Sequence, residues 1–237
     1  MTETLALSKQ MNKKVYFNWS SGKDSALALH YLLQDKAVSV AHLLTTINET
    51  QQRVSMHGVR RSLLEAQLQA IGLPYSIVSI PEQCINTTYE SIMEEATGQL
   101  LREGFGYAAF GDIFLEDLKQ YREQQLARIG LKGLFPLWKH DSLSVVEAFI
   151  DLGFKAITVS VNAQYLDESF VGRILDRDFI RDLPPGVDPA GENGEFHTFC
   201  FAAPYFKRNI DFEVGEKVYR TYQHGTETFG YWFCDLV

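Results

Sequence analysis

The chain has 237 residues, 46% of them apolar and 22% charged, a globular composition that excludes a disordered or fibrous protein. Its 22 basic side chains against 30 acidic ones give a net charge of −8, and the eight basic against 13 acidic residues over 155–237 argue against a phosphate-gripping nucleic-acid surface. No apolar run approaches the ~18 residues of a membrane span, no signal-type apolar stretch precedes residue 14, and the scattered Cys84, Cys200 and Cys234 make neither a disulfide framework nor a zinc site, so a reducing cytoplasm is the expected home.

In chain order, Val15–Trp19 is a short apolar strand running into a Ser-Ser-Gly turn, and Asp24 to Gln34 is a helix apolar on most sides, hence packed. Val38–Ile47 is a β-branched second strand. Val59–Ile71 sets Leu63, Leu64, Leu68 and Ile71 at helical spacing and stops at Gly72, with Pro74 beyond. Tyr75–Ile80 is a third strand, and Thr87 with Glu90 has capping-box spacing ahead of a helix to about Glu103. Tyr107–Ile113 is a fourth strand, Leu115–Ile129 a helix closed by Gly130, and Ser144 with Glu147 a second capping box opening a helix closed by Gly153. Lys155–Val161 is the fifth strand, and a helix follows near Glu168–Arg181. Strands alternating with helices predict βαβ units and a parallel sheet. Prolines and glycines from Pro184 to Gly194 mark a turn-rich stretch, after which Phe196–Phe201, Phe212–Tyr222 and Thr228–Phe233 are strand-like. The expected architecture is α/β: a nucleotide-type domain over 13–134 and a smaller mixed α+β substrate lobe over 135–237.

Chemistry concentrates where the first strand meets the first helix, at Ser20-Ser21-Gly22-Lys23-Asp24-Ser25. Small residues let backbone amides converge, and the helix start adds orphan N–H donors and the positive end of its dipole. The hydroxyls of Ser20, Ser21 and Ser25 and the Lys23 ammonium complete a set suited to a pyrophosphate. This is not a Walker A loop, because Phe17 stands where its first Gly belongs and Asp24 follows the Lys. Its place after the first strand of an α/β sheet favours a ligand site over a merely capped turn.

The stretch WSSGKDSALAL (19–29) resembles the SGGxDS loop of the PP-loop, or N-type, ATP pyrophosphatases, which split ATP between the α and β phosphates and usually adenylate a carboxylate or carbonyl oxygen. Ser21 stands where many members have Gly, and supplies the same amide if its backbone angles are ordinary. GDIFLEDLKQYREQQLARIGLKGLFPLW (111–138), GENGEFHTF (191–199) and SMHGVR (55–60) resemble the diphthine–ammonia ligase family, the last its shorter, bacterial-looking members. The resemblance covers most of 13–201. It implies a five-stranded parallel sheet of the adenine-nucleotide α-hydrolase type, order 3-2-1-4-5. It also implies conversion of ATP to AMP and pyrophosphate, with ammonium amidating a carboxylate on diphthine, a modified histidine of an elongation factor. In a bacterium diphthine itself would be absent, and another carboxylate-bearing acceptor, protein or small molecule, would take its place. The loop residues carry over as the ATP-binding set Ser20, Ser21, Gly22, Lys23, Asp24 and Ser25.

Adenylation needs an oxygen in line with the α-phosphorus and neutralised charge on the departing pyrophosphate, usually by Mg²⁺ and Lys or Arg. Lys23 and the loop amides suit the leaving group. Asp24 suits Mg²⁺, the helix N-cap, or both. Gly111 and Asp112 end the fourth strand near the phosphates, where Asp112 binds Mg²⁺ or orients substrate, unless it caps the next helix. Glu116, Asp117 and Arg122 on that helix read mostly as solvated surface. Glu192 is bracketed by Gly191 and Gly194. Glu195 and His197 share one face of a strand, a pair that could bind ammonium, position the acceptor or pass a proton; the alternative is a charged surface pair ahead of Thr198. Backbone around Leu43–Thr45, centred on Leu44, is the expected adenine reader. His57 lies on that side as a stacking or hydrogen-bonding residue, or as a structural loop histidine. Trp138 reads as packing between the two lobes, and the tail rings Tyr219, Tyr222, Phe229, Tyr231, Trp232 and Phe233 as core or homodimer contact.

The leading reading is an AMP-forming amide ligase fed by free ammonium, since no glutaminase domain is apparent. A tRNA-thiolating or lysidine-forming enzyme on the same loop is opposed by the acidic C-terminal third and the lack of a CxxC pair. An ATP-binding sensor without turnover would have no use for the charged cluster around Glu195.

Overall fold

The computed structural model describes residues 12–55, 57–82, 84–224 and 227–237; the reading of the first 11 residues and Met56 of SMHGVR lie outside them. The first sheet contains β1 (Lys13–Asn18), β2 (Val38–Asn48), β3 (Arg53–Val54), β4 (Tyr75–Ile80), β5 (Tyr107–Ala109) and β6 (Lys132–Leu134). β4, β2, β1, β5 and β6 lie side by side and parallel. β3 folds back antiparallel on the part of β2 that runs past β1, with Val54 opposite Ile47. Setting β3 aside, the parallel order is 3-2-1-4-5.

The helices are α1 (Lys23–Gln34), α2 (Arg61–Ile71), α3 (Asn86–Arg102), α4 (Glu116–Arg128), α5 (Ser142–Asp151) and α6 (Arg177–Asp182). The two-residue period of β1 explains how they are layered. Val15 and Phe17 point into a core shared with α1, α2 and α5, whereas Tyr16 joins Leu100 of α3 and Leu126 of α4 on the opposite face. Both faces of the sheet are therefore covered, which is why its strands read as apolar runs.

The fifth parallel strand is not Lys155–Val161 but the three-residue β6, whose Lys-Gly-Leu carries no readable hydrophobic period. Lys155–Asn162 (β7) instead belongs to a second, antiparallel sheet ordered β8-β7-β10-β9, with β8 Phe196–Ala202, β9 Val214–His224 and β10 Glu227–Leu236. β7 is buried along all but its first residue, so its sequence has the same unbroken apolar character as a parallel strand. The helix expected near 168–181 splits into a 3₁₀ turn (Glu168–Phe170) and the short α6, because Ile174 between them bridges to Ile157 of β7. Neither capping box forms. α3 starts from Ile85 with no side-chain cap, and α5 is capped by Asp141, which accepts from the Ser144 amide at 2.9 Å. Phe196, Phe199 and Cys200 of β8 enter the same core as α1, so the second sheet packs directly behind the first helix.

Candidate nucleotide site

The loop between β1 and α1 departs from its expected geometry at Ser21, which is buried with φ +72°. An L-residue in the left-handed region is strained by about 1–2 kcal/mol, a penalty a glycine there would not carry. The left-handed Ser21 followed by an extended Gly22 (φ −91°, ψ 176°) turns the chain sharply from β1 into α1, leaving a concave bend. The Ser21 carbonyl accepts from Cys200 N at 2.9 Å and from Gln67 Nε2 at 3.0 Å. Its hydroxyl has no partner among the described residues. Ser20 Oγ donates to Ser25 Oγ (3.0 Å), and Ser25 Oγ in turn donates to the Gly22 carbonyl (3.0 Å).

Three separated stretches close on this loop. A Cβ on Gly111 would fall 2.9 Å from both the Asp24 carbonyl carbon and the Ser25 nitrogen, so only glycine lets the end of β5 approach the start of α1 this closely. A Cβ on Gly22 would meet His57 Cε1 at 2.7 Å. Thr198 Oγ1 accepts from Lys23 N at 3.0 Å, satisfying one of the orphan amides of α1. The Glu192 carboxylate accepts from Ile113 N at 2.8 Å, tying the GENGEFHTF stretch to the Gly111-Asp112-Ile113 segment.

Lys23 faces inward rather than into the concavity. It is 4% exposed, its ammonium donates to Asp24 Oδ2 (2.8 Å) and to the Ala190 carbonyl, and it lies over the Phe196 ring. Gly22, not Asp24, is the N-cap of α1, and no side chain caps it. Burial raises the Asp24 carboxyl above its ordinary range against the pull of Lys23. Burial, with the charges of Asp24 and Asp112, pushes Glu192 up to about 7 despite the Ile113 amide and Lys23. Asp112 does not cap α4, whose N-cap is Leu115. Its two oxygens face Arg122, Nη2 at 3.3 Å and Nε at 2.8 Å, and Arg122 stacks on Phe110.

Glu195 precedes β8 and so does not share a strand face with His197 as expected. Glu195 is 2% exposed and braces the preceding turn, accepting from Asp188 N (3.0 Å) and Asn193 Nδ2 (3.1 Å). His197 lies beside His57, ring centroids 4.9 Å apart. His57 is therefore on the β8 side of the loop. Its Nδ1 meets the Thr198 carbonyl at 2.9 Å, and since a carbonyl only accepts, that nitrogen carries the proton. Burial, with the nearby Lys23 charge, holds His57 down at about 4 and His197 well below its ordinary value, and His197 Nε2 has no hydrogen-bond partner among the described residues. Leu44 is committed to the sheet, its carbonyl accepting from Trp19 N at 2.8 Å.

A cavity of about 720 Å³ opens next to His197, between the β2–β3 hairpin and one face of β9–β10. The tail rings Tyr222, Phe229, Tyr231 and Phe233 line this cavity instead of filling a core. Trp138 packs on Phe135 and under Lys119 of α4, not between the sheets. A smaller cavity of about 170 Å³, lined by Asn18, Phe110 and Arg122, sits at the carboxyl ends of β1 and β5, where the strand order reverses and α/β sheets bind ligands.

Among the described residues no three His, Cys, Asp or Glu side chains could hold a metal by themselves. Mg²⁺ in nucleotide sites needs only one or two carboxylates, with phosphates supplying the rest. Asp24 Oδ1 and Asp112 Oδ2, both buried and without a hydrogen-bond partner among the described residues, fit that role, and Asp112 Oδ2 also lies 2.8 Å from Arg122 Nε. The residues the sequence did not single out are Gln67 and Asp188. Gln67 had a signal, since it is a polar side chain on the apolar stripe of α2, four positions from Leu63 and from Ile71. Asp188 had none.

A parallel 3-2-1-4-5 sheet with a serine-and-glycine loop after its first strand is the arrangement in which open α/β sheets place ligands, at the carboxyl ends of the strands. The family model for the diphthamide synthase N-terminal domain matches residues 13–133, and that for the C-terminal domain matches 141–229. The chain belongs to this diphthamide synthase family. It is 32% identical to the diphthine–ammonia ligase of Danio rerio over 113 residues, 44% of this chain and 43% of that protein. It is 30% identical to the bovine enzyme over 110 residues, 44% of this chain and 41% of that one. The Schizosaccharomyces pombe enzyme matches over 81% of this chain and 34% of its own length at 25% identity. The chain thus spans less than half the length of these relatives. A solved structure, the U34-tRNA thiolase NcsA from Methanococcus maripaludis, overlaps 61% of this chain and 59% of that one with a TM-score of 0.37 and 19% identity. Among the described residues no helix is long and apolar enough to cross a membrane.

Proposed function

We propose that the protein is an ATP-dependent ligase that adenylates a carboxylate, releasing pyrophosphate, and then amidates it with ammonia. The observation that carries this reading is the convergence of Gly111 and Thr198 on the loop at Ser20–Ser25, with Glu192 tied to the Gly111–Ile113 segment beside it. An acceptor oxygen bonds to the α-phosphorus as the bond to the β-phosphate's bridging oxygen breaks. Ammonia then bonds to the acyl carbon, AMP leaves, and the nitrogen loses a proton. The loop amides and the start of α1 receive the departing pyrophosphate. Lys23 acts from behind, offsetting the charge of Asp24 so that the anion does not meet a bare carboxylate. Mg²⁺ held by Asp24 would supply charge neutralisation on the phosphates. The 720 Å³ cavity is assigned to the acceptor, because its His197 wall lies beside the His57 that packs on Gly22.

The test incubates α- and γ-labelled ATP with the protein, Mg²⁺, ammonium and fractionated lysate. AMP with pyrophosphate, lost in Asp24→Ala and Lys23→Ala, is the expected outcome. Accumulation of ADP instead would overturn the proposed chemistry.

A further inference from the structure

Gln67 is fully buried on α2, and its amide joins three elements. Oε1 accepts from Trp19 Nε1 at 3.1 Å, just past β1, while Nε2 donates to the carbonyls of Ser21 (3.0 Å) and of Cys200 in β8 (2.5 Å). Indole N–H is donor-only, so Trp19 fixes which end of the amide faces which way. The Ser21 carbonyl, which also receives Cys200 N at 2.9 Å, is thereby held from outside the loop by two donors. In a trans peptide the next N–H points opposite to the carbonyl. Anchoring Ser21 O towards Gln67 and Cys200 therefore aims the Gly22 N–H the other way, where it comes within 3.4 Å of Ser20 Oγ inside the turn.

We propose that Gln67 is the positioning residue of the proposed phosphate loop: it never touches the ligand, yet it holds Ser21 left-handed and so sets the direction of the Gly22 amide. The inference rests on the reading of that loop as a pyrophosphate cradle. It makes a distinctive prediction about Ser21. A glycine in its place adopts the left-handed conformation without help, so the Ser21→Gly loop no longer needs the clamp.

The experiment measures dissociation constants of ATP and of inorganic pyrophosphate by calorimetry, with thermal melts alongside, for wild type, Gln67→Met, Ser21→Gly and the double variant. Gln67→Met is expected to weaken both probes about tenfold, the scale of one charge-assisted hydrogen bond misdirected. Ser21→Gly should restore binding in the Gln67→Met background to within about threefold of wild type, although the lost packing still lowers the melting temperature. Trp19→Phe, which frees the amide to turn over, gives a smaller loss with the same rescue, and carries the comparison if Gln67→Met does not fold. Wild-type affinity in Gln67→Met, or a loss that Ser21→Gly leaves unrepaired, overturns the inference and leaves the cradle standing. Wild-type protein that binds neither probe overturns the cradle and the inference together.

Discussion

Gly111→Ala is expected to lower both stability and nucleotide affinity. The added methyl would lie 2.9–3.1 Å from three backbone atoms of Asp24 and Ser25, none of which can swing aside as a side-chain tip can. Forcing a methyl into such a contact costs about 1–3 kcal/mol, and the stiffer unfolded chain returns roughly 0.4–1 kcal/mol of that. The net loss of about 1–2 kcal/mol corresponds to a fall in melting temperature of roughly 3–6 °C for a chain of this size. Gly106, just before β5, is the control: a Cβ there meets nothing within 4 Å and its φ is not left-handed. Gly106→Ala should gain about 0.5 kcal/mol and melt roughly 1–2 °C higher. The assay is a thermal melt by circular dichroism, paired with calorimetric titration of ATP. A Gly111→Ala protein that melts at or above wild type with unchanged ATP affinity would refute the reasoning, since the start of α1 would then be free to move away from β5.

Glu192, raised from 4.5 to about 7, binds its proton more tightly folded than unfolded. Its stabilising contribution is therefore complete below about pH 4.5 and is lost as pH rises through 7, at no more than about 1.4 kcal/mol per unit. Glu192→Gln should flatten the wild-type decline over that window in urea titrations at stepped pH. Asp235 behaves oppositely: burial raises it, but hydrogen bonds and charge from Arg60 and Arg53 outweigh this and hold it at about 2. Its contribution is present above pH 3.8 and disappears as pH falls through 2. Asp235→Asn should speed hydrogen exchange of amides over 48–55, because these ion pairs tie β10 to the β2–β3 hairpin. Tyr205→Phe, which deletes the hydroxyl bond to the Ala26 carbonyl (2.9 Å), should cost about 1 kcal/mol in a urea melt.

The sheet was legible because β1 is covered on both faces and the apolar runs of β1, β2 and β4 end at turn residues. β6 was not, since three residues around a glycine have no period to detect, and the equally buried β7 took its place. Composition and position marked the Ser20–Ser25 loop as the candidate site. Ser21 shows where that reading stops: nothing in its identity reveals a left-handed backbone, which is imposed by Gln67 and Cys200 from 46 and 179 positions away. The Glu195–His197 pair looked joint because alternate residues of a strand share a face. β8 begins only at Phe196, so Glu195 lies in the turn and follows other rules.

The dependence of the loop on β8 has a consequence for how the protein comes into being. Residues 20–25 are translated early, whereas Thr198 and Cys200, which hold Lys23 N and Ser21 O, are made some 175 residues later. Until then the nascent segment has the motif without its shape. The loop therefore reaches its shape only late in synthesis, when the same strand that supplies Thr198 and Cys200 also brings His197 to the wall of the 720 Å³ cavity, so that a half-made chain would lack both halves of the proposed site together.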